Sequence, residues 1–440
     1  MHRRSSARGR VLAFAFLLTV ITYLDRICIS AAAPYMMADL HLTVTQMSVV
    51  FSAFTLAYAV FEIPSGWLGD AHGPRRVLTR IVLWWSAFTM FTGMAGGLRS
   101  LVTIRFLFGA GEAGAFPNLA GAFSRWFPAR ERGRATGVMM LGSRVGGMLS
   151  GPIALLLVAR WGWRASFSAF GALGVVWSVA WHRWYRDSPD AHPGVDREEL
   201  AWIQQDRIAG LVSAHAHTGT PWRAMFASRN LYAICAMYFG YAYGLYFYFT
   251  WLPTYLIREL GFSALRGGLF TALPFFLAGV ANVVGGWLTD WLVRRHGLRV
   301  GRCGLGFVAF SGAAGLTFAS TLPLPAVTKA ILLALALGSA DLALGACWAT
   351  PVDIAPRHAG VMTGFMNSFG NIGGLMAPLV IGLAVDRWQS WTLPFHIAAF
   401  VYTGGALAWL AIDPGQQLET QPMSSEPTPS DLHGSETRRP

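Results

Sequence analysis

Two stretches of sequence decide the reading: GWLGDAHGPRR at 66–76 and GWLTDWLVRRHG at 286–297. Each opens on Gly-Trp-Leu, places an aspartate at its fifth position (Asp70 and Asp290) and carries a pair of arginines close behind. Each also follows an apolar run. A second repeat supports the first: Gly137, Gly146 and Gly147 reappear as Gly364, Gly373 and Gly374, with the same nine-residue step. Repeats in corresponding positions of two halves indicate a duplicated unit. In membrane proteins such duplication puts the binding site at the interface of the halves.

Outward from these loops the chain divides into apolar blocks at 11–36, 46–68, 77–97, 100–124, 135–158 and 163–185. A polar stretch intervenes, and six more follow at 229–256, 267–291, 302–320, 324–350, 359–382 and 390–412. Crossing the hydrocarbon core of a bilayer takes about 20 apolar residues, so the expected fold is an all-α membrane protein of twelve transmembrane helices in two six-helix bundles. The expected units are 1–185, a cytoplasmic linker at 186–228 with a short surface helix from Glu198 to Arg207, 229–412, and a disordered cytoplasmic tail at 413–440. The basic start, MHRRSSARGR, imitates a secretory signal, but the apolar run continues through Asp25 and Arg26 to Pro34 and reads as an uncleaved first helix.

Composition agrees with the blocks. Of the 440 residues 54% are hydrophobic and 13% charged, with a mean hydropathy of +0.44, whereas soluble domains carry about 25% charged residues. The net charge of +12 would suggest nucleic acid in a soluble protein. Here the arginines cluster between blocks, with Arg75, Arg76 and Arg80, then Arg125, Arg130, Arg132 and Arg134, then Arg294, Arg295, Arg299 and Arg302 on one side. The other side keeps isolated charges such as Arg99, Arg160, Arg258 and Arg387. By the positive-inside rule both termini are expected in the cytoplasm, the protein in the cell's inner membrane, and no nucleic acid as a partner. Cys28, Cys235, Cys303 and Cys347 show neither disulfide nor zinc spacing, and no metal is expected.

The candidate functional residues are the charges inside the blocks. A charge at mid-membrane costs about 2.5–3.5 kcal/mol even on the lenient insertion scale, so it usually faces a cavity and acts there. Asp25 and Arg26 stand in the first block, Arg105 and Glu112 in the fourth, and Arg144 in the fifth. Neighbours on a helix point about 100° apart, so one of Asp25 and Arg26 faces the cavity while the other contacts a neighbouring helix. Guanidinium grips a carboxylate with two parallel hydrogen bonds and stays charged; Arg26 is therefore the expected substrate contact, with Arg144 as a second. A carboxylate in a low-dielectric cavity suits proton exchange, the role expected of Asp25 and Glu112. An ion-pair network that merely holds the bundle together is the alternative for each, most of all for Arg105. Tyr58, Trp348 and Asn367 would complete the cavity, with Tyr241 and Tyr246 on an aromatic seventh block. Asp70, Arg75, Arg76, Arg105 and Asp290 are expected in ion pairs or a gate, where a plain helix cap is the alternative for Asp70.

These residues resemble a known family. GWLGDAHGPRR resembles the signature loop of the major facilitator superfamily. YLDR at 23–26, RFLFGAGEAGAFP at 105–117, FYFTWLPTYL at 247–256 and GFMNSFGNIGG at 364–374 resemble its anion:cation symporter family, which includes bacterial galactonate, glucarate and hexuronate importers and animal sialin and vesicular glutamate transporters. The resemblance implies alternating access, proton-coupled symport of a small organic anion such as a sugar acid, no organic cofactor and no enzymatic activity. It implies Arg26 as the substrate-linked arginine, Asp25 and Glu112 as proton-coupling carboxylates, and Tyr58, Trp348 and Asn367 as cavity positions. Arg144, in LGSRVGG, departs from the neutral polar residue of the galactonate-type importers and favours a more highly charged ligand such as a dicarboxylate. A monomer in the lipid bilayer is expected; a same-fold exporter and a non-transporting anion sensor are the alternative functions.

Overall fold

The computed structural model describes residues 7–204, 222–355 and 359–416. Helix α1 spans Ala7–Asp39, α2 Val44–His72 and α3 Pro74–Thr92. Helix α4 runs through Leu98–Glu112, breaks, and resumes over Ala115–Trp126. Ala129–Trp184 is one helical stretch divided into α5 and α6 at Gly162, whose φ of 77° turns the chain back without a loop. After the linker helix Arg197–Gln204, α7 covers Arg229–Thr250 and continues through Leu252–Thr254 and Tyr255–Glu259. Helix α8 is Ala264–His296; α9 comprises Arg299–Gly304 and Leu305–Ala319; α10 comprises Ala326–Leu342 and Leu344–Ile354. Helices α11 and α12 are Ala359–Trp388 and Thr392–Ala411.

Among the described residues eight stretches are individually long and apolar enough to cross a membrane. Dividing the longest at Gly162, and adding α3, the broken α4 and α7, gives the twelve spans expected from the apolar blocks. Large apolar side chains such as Val283, Val308 and Phe400 are exposed, as suits a surface solvated by lipid rather than water. The predicted surface helix is present over Arg197–Gln204; its last three expected residues, and 417–440 of the expected tail, lie outside the described residues. Arg8 pins the linker helix to the start of α5, donating from Nη1 to Glu131 at 2.7 Å and from Nε to Glu199 at 3.1 Å.

The duplication read from the glycines has a packing cause. A Cβ at Gly146 on α5 would stand 2.5 Å from the Val20 carbonyl oxygen of α1, and one at Gly373 on α11 would stand 2.7 Å from the Phe239 carbonyl oxygen of α7. Helices in lipid associate by close backbone approach over small residues; α5 thus packs on α1 as α11 packs on α7.

The halves meet along α5 with α8, α2 with α11, and α1 with α7. At the end of the bundle remote from residue 7 this seam is sealed. There Asp386 of α11 accepts hydrogen bonds from the backbone N–H groups of Val44 (3.2 Å) and Thr45 (2.7 Å) at the start of α2. Arg258 of α7 donates to the Pro34 carbonyl oxygen of α1 at 2.7 Å. Ser52 donates to the Leu375 carbonyl oxygen at 3.0 Å. Toward the other end the described residues leave open positions on both halves. Among the described residues no atom outside their own helix backbone lies within 4 Å of where a Cβ would stand at Gly137 on α5 or Gly364 on α11.

Candidate functional site

Adjacent positions on α1 face different surroundings, as the helical step requires. Asp25 is 1% exposed inside the first six-helix bundle, close to Arg105 and to Trp85. Among the described residues neither of its carboxylate oxygens accepts a hydrogen bond of ordinary geometry, and the Trp85 indole N–H is the neutral donor beside them. Arg26 points toward the seam instead. Its Nε donates to Glu112 Oε1 at 2.8 Å, and its Nη2 donates to the same oxygen. Rings of Tyr23, Phe54 and Tyr58 surround the guanidinium carbon at 5.1, 5.0 and 4.8 Å, within cation–π range.

Glu112 is the last residue of the first part of α4, just before the break. It is fully buried, and its Oε2 has no hydrogen-bond partner among the described residues. Arg105, nearly two turns earlier, is also buried and lies 4.2 Å from the Phe108 ring and 5.2 Å from that of Phe54. Arg26, Arg105, Thr55, Tyr246 and Phe249 line a small cavity between the halves.

A second ion pair crosses the seam. Arg144 Nη2 of α5 lies 2.7 Å from Asp341 Oδ2 of α10. The Tyr241 hydroxyl of α7 donates to the other carboxylate oxygen at 2.7 Å and stands 3.5 Å from Arg144. Trp348, 43% exposed on the second part of α10, meets Tyr238 edge to face, and Tyr238 stacks on Tyr241. Asn367 Nδ2 of α11 lies 3.5 Å from Glu62 Oε2 of α2, again across the seam.

Sequence reasoning missed Asp341 and Glu62. The signal was present, since each is a lone carboxylate within an apolar block, which is the criterion that selected Asp25 and Glu112. It also left the partners of Arg26 and Arg144 open, and the structure assigns each arginine a carboxylate.

The signature loops sit at helix ends. In the second half Arg302 of α9 donates to Asp353 of α10 at 2.9 Å and to Thr289 of α8 at 3.2 Å, and lies 3.4 Å from Asp290. In the first half the Arg75 guanidinium donates to the His182 carbonyl oxygen at 3.0 and 2.7 Å, and its backbone N–H donates to Asp187 at 2.9 Å. Arg76 is exposed. The side chain of Asp70 lies outside the described residues.

The chain can be set beside known proteins. The family model described as the Major Facilitator Superfamily matches residues 15–378. The probable sulfoacetate transporter SauU of Cupriavidus necator is 38% identical over 94% of this chain and 96% of its own. The probable galactarate/D-glucarate transporter GudP of Escherichia coli is 30% identical, covering 92% of each chain. The D-galactonate transporter of Escherichia coli is 31% identical over 92% of this chain and 95% of its own. Among solved structures, a bacterial homologue of the lysosomal transporter Spinster, inward-facing and unoccupied, superposes with a TM-score of 0.72 at 18% identity, covering 93% of this chain and 94% of that one. The inward-open xylose transporter XylE of Escherichia coli gives 0.71 at 13% identity, covering 92% of this chain and 96% of that one.

Proposed function

The chain belongs to the Major Facilitator Superfamily, and from that premise we propose that it imports a small organic anion together with protons across the cell's inner membrane. Both termini lie in the cytoplasm. The sealed end of the seam is then the outer end, and the structure is the inward-facing state. The named relatives, transporters of a sulfonated acid and of sugar acids, support an acidic substrate.

The observation that carries the reading is that the Arg26 guanidinium is held by the Glu112 carboxylate in an aromatic cage at the seam. A substrate carboxylate reaching Arg26 competes with Glu112 for the same donors. Removing one partner from a buried pair costs about 3–5 kcal/mol when the other is left charged, so an anion displaces Glu112 at low cost only when Glu112 gains a proton. Protonation weakens the pair, frees the guanidinium and leaves an uncharged carboxylic acid in the cavity. Each event favours the other, which is the positive coupling that symport requires. Asp25, buried behind Arg26 beside Arg105, is the second proton-carrying carboxylate; Tyr58 and Asn367 border the same space. Each net positive charge moved inward gains about 2.3 kcal/mol per 100 mV. A monoanion carried with two protons, on Asp25 and Glu112, is therefore driven by the potential as well as the pH gradient, and a dianion carried with two protons by the pH gradient alone.

The test is Glu112→Gln in proteoliposomes. The variant should lose accumulation driven by a proton gradient while keeping exchange of internal for external anion. Gradient-driven accumulation at the wild-type level would refute the role of Glu112.

A further inference from the structure

Arg26 accounts for one anionic group. The second buried arginine at the seam is arranged differently, because its carboxylate comes from the opposite half. Arg144 belongs to α5 and Asp341 to α10; the arginine side chain is 13% exposed and the aspartate fully buried. Across the seam the arginine faces Gly279 of α8, where a Cβ would sit in ordinary van der Waals contact with Arg144 Cβ and Cγ, at 3.7 and 4.0 Å. Tyr23, whose ring centre lies 5.1 Å from the Arg26 guanidinium carbon, also packs on α5 two residues from Arg144, its Cβ 3.0 Å from where a Cβ on Gly146 would stand. The two arginines therefore border one region, and both are carried by the first half.

A buried ion pair is a poor source of stability, since desolvation offsets its attraction, and packed apolar residues of similar volume usually serve as well. Beside this pair α5 packs on α8 through small and aromatic residues, Gly151 against Thr271 and Gly147 against Phe275. Asp341 also has a second partner: the Tyr241 hydroxyl donates to its Oδ1 at 2.7 Å, on the oxygen that Arg144 does not approach most closely. Asp341 therefore keeps one hydrogen bond when Arg144 turns away on its long, flexible side chain, and, as for Glu112, the exchange is low in cost when the freed carboxylate takes a proton.

We propose that Arg144 is a second anion-recognition site, occupied in the inward-facing state by the chain's own Asp341, and that it selects substrates bearing two anionic groups. One group takes Arg26 and the other takes the place of Asp341 on Arg144. Because both arginines belong to the first half, a bound dianion removes the mid-membrane ionic tie to α10 and releases the second half to move. A monoanion held by Arg26 alone leaves that tie in place and is carried slowly. The inference rests on the reading of Arg26 as the substrate arginine.

The experiment compares dicarboxylates of two to six carbons, and a carboxylate–sulfonate, with their half-amides, which have the same length but one charge. Uptake is measured in proteoliposomes for the wild type, Arg144→Gln, Asp341→Asn and the double variant, whose neutral polar pair avoids a lone buried charge should a single variant misfold. The wild type should favour one dianion over its half-amide by at least about tenfold in kcat/KM, a difference of about 1.4 kcal/mol. That ratio should fall about tenfold in Arg144→Gln and in the double variant. Asp341→Asn, with the tie already cut, should raise half-amide turnover. A ratio kept at its wild-type value in the double variant would make the pair a structural strut and overturn the proposal. Equal wild-type transport of dianions and half-amides would overturn it while sparing the proposed function. No transport of any anion by folded protein would remove the proposed function, and this inference with it.

Discussion

Asp386→Ala should open the sealed end of the seam. The Asp386 carboxylate accepts from the Val44 and Thr45 N–H groups at 3.2 and 2.7 Å, so a side chain at the end of α11 caps the first turn of α2 in the other half. Removing a side-chain cap costs about 0.5–2 kcal/mol, to which the lost interaction of a negative charge with the helix N-terminus belongs. The contact exists only while the halves touch at this end; once they part, water satisfies the same N–H groups. The whole contribution therefore acts on the equilibrium between states. A change of 0.5–2 kcal/mol corresponds to about a 2- to 30-fold shift. The assay is labelling of a single cysteine by a membrane-impermeant maleimide added from the sealed side. Cys28, Cys235, Cys303 and Cys347 are all buried, so background reaction is low. Ser52→Cys reports the seam directly, because Ser52 of α2 touches the Leu375 carbonyl oxygen of α11. Labelling of Ser52→Cys should rise about 2- to 30-fold when Asp386→Ala is added. An unchanged rate would show that the cap does not hold this end closed, and the reasoning would fail.

Three further outcomes follow from the same geometry. Arg26→Lys keeps the charge but loses the planar fork, and should lower uptake of every anion at least about tenfold, measured as kcat/KM in proteoliposomes. Gly146→Ala puts a methyl group 2.5 Å from the Val20 carbonyl oxygen, so α1 and α5 must separate; thermal unfolding in detergent should drop, whereas Gly162→Asn, at a positive-φ turn with open space, should be tolerated far better. Arg302→Ala removes the donor shared by Asp353 and Thr289 and should cost about 2 kcal/mol, typical of hydrogen bonds to a charged group, seen as a lower midpoint of detergent unfolding.

The spans were legible because the solvent enforces them: lipid demands long apolar runs with internally satisfied backbones, and the repeated loops and glycines mark the duplication. Charge position was legible too, since Asp25, Arg26, Arg105, Glu112 and Arg144 stand out against apolar neighbours. Pairing was not. Whether Glu112 meets Arg26 or Arg105 depends on how α1 and α4 are rotated against each other, and helical periodicity describes one helix at a time. Asp341 and Glu62 satisfied the criterion that selected the others. Their importance rests on partners across the seam, Arg144 and Asn367, which are distant in sequence. Glycine spacing was more informative than charge here, because Gly146 and Gly373 each mark a backbone contact repeated in both halves.

The most direct test of the central claim is uptake by the wild-type protein in proteoliposomes, using labelled sugar acids, dicarboxylates and a sulfonated acid, with and without an inward proton gradient. The account predicts that at least one anion accumulates above its external concentration and that a protonophore abolishes the accumulation. Uptake that reaches the same level with or without the gradient would contradict proton-coupled symport.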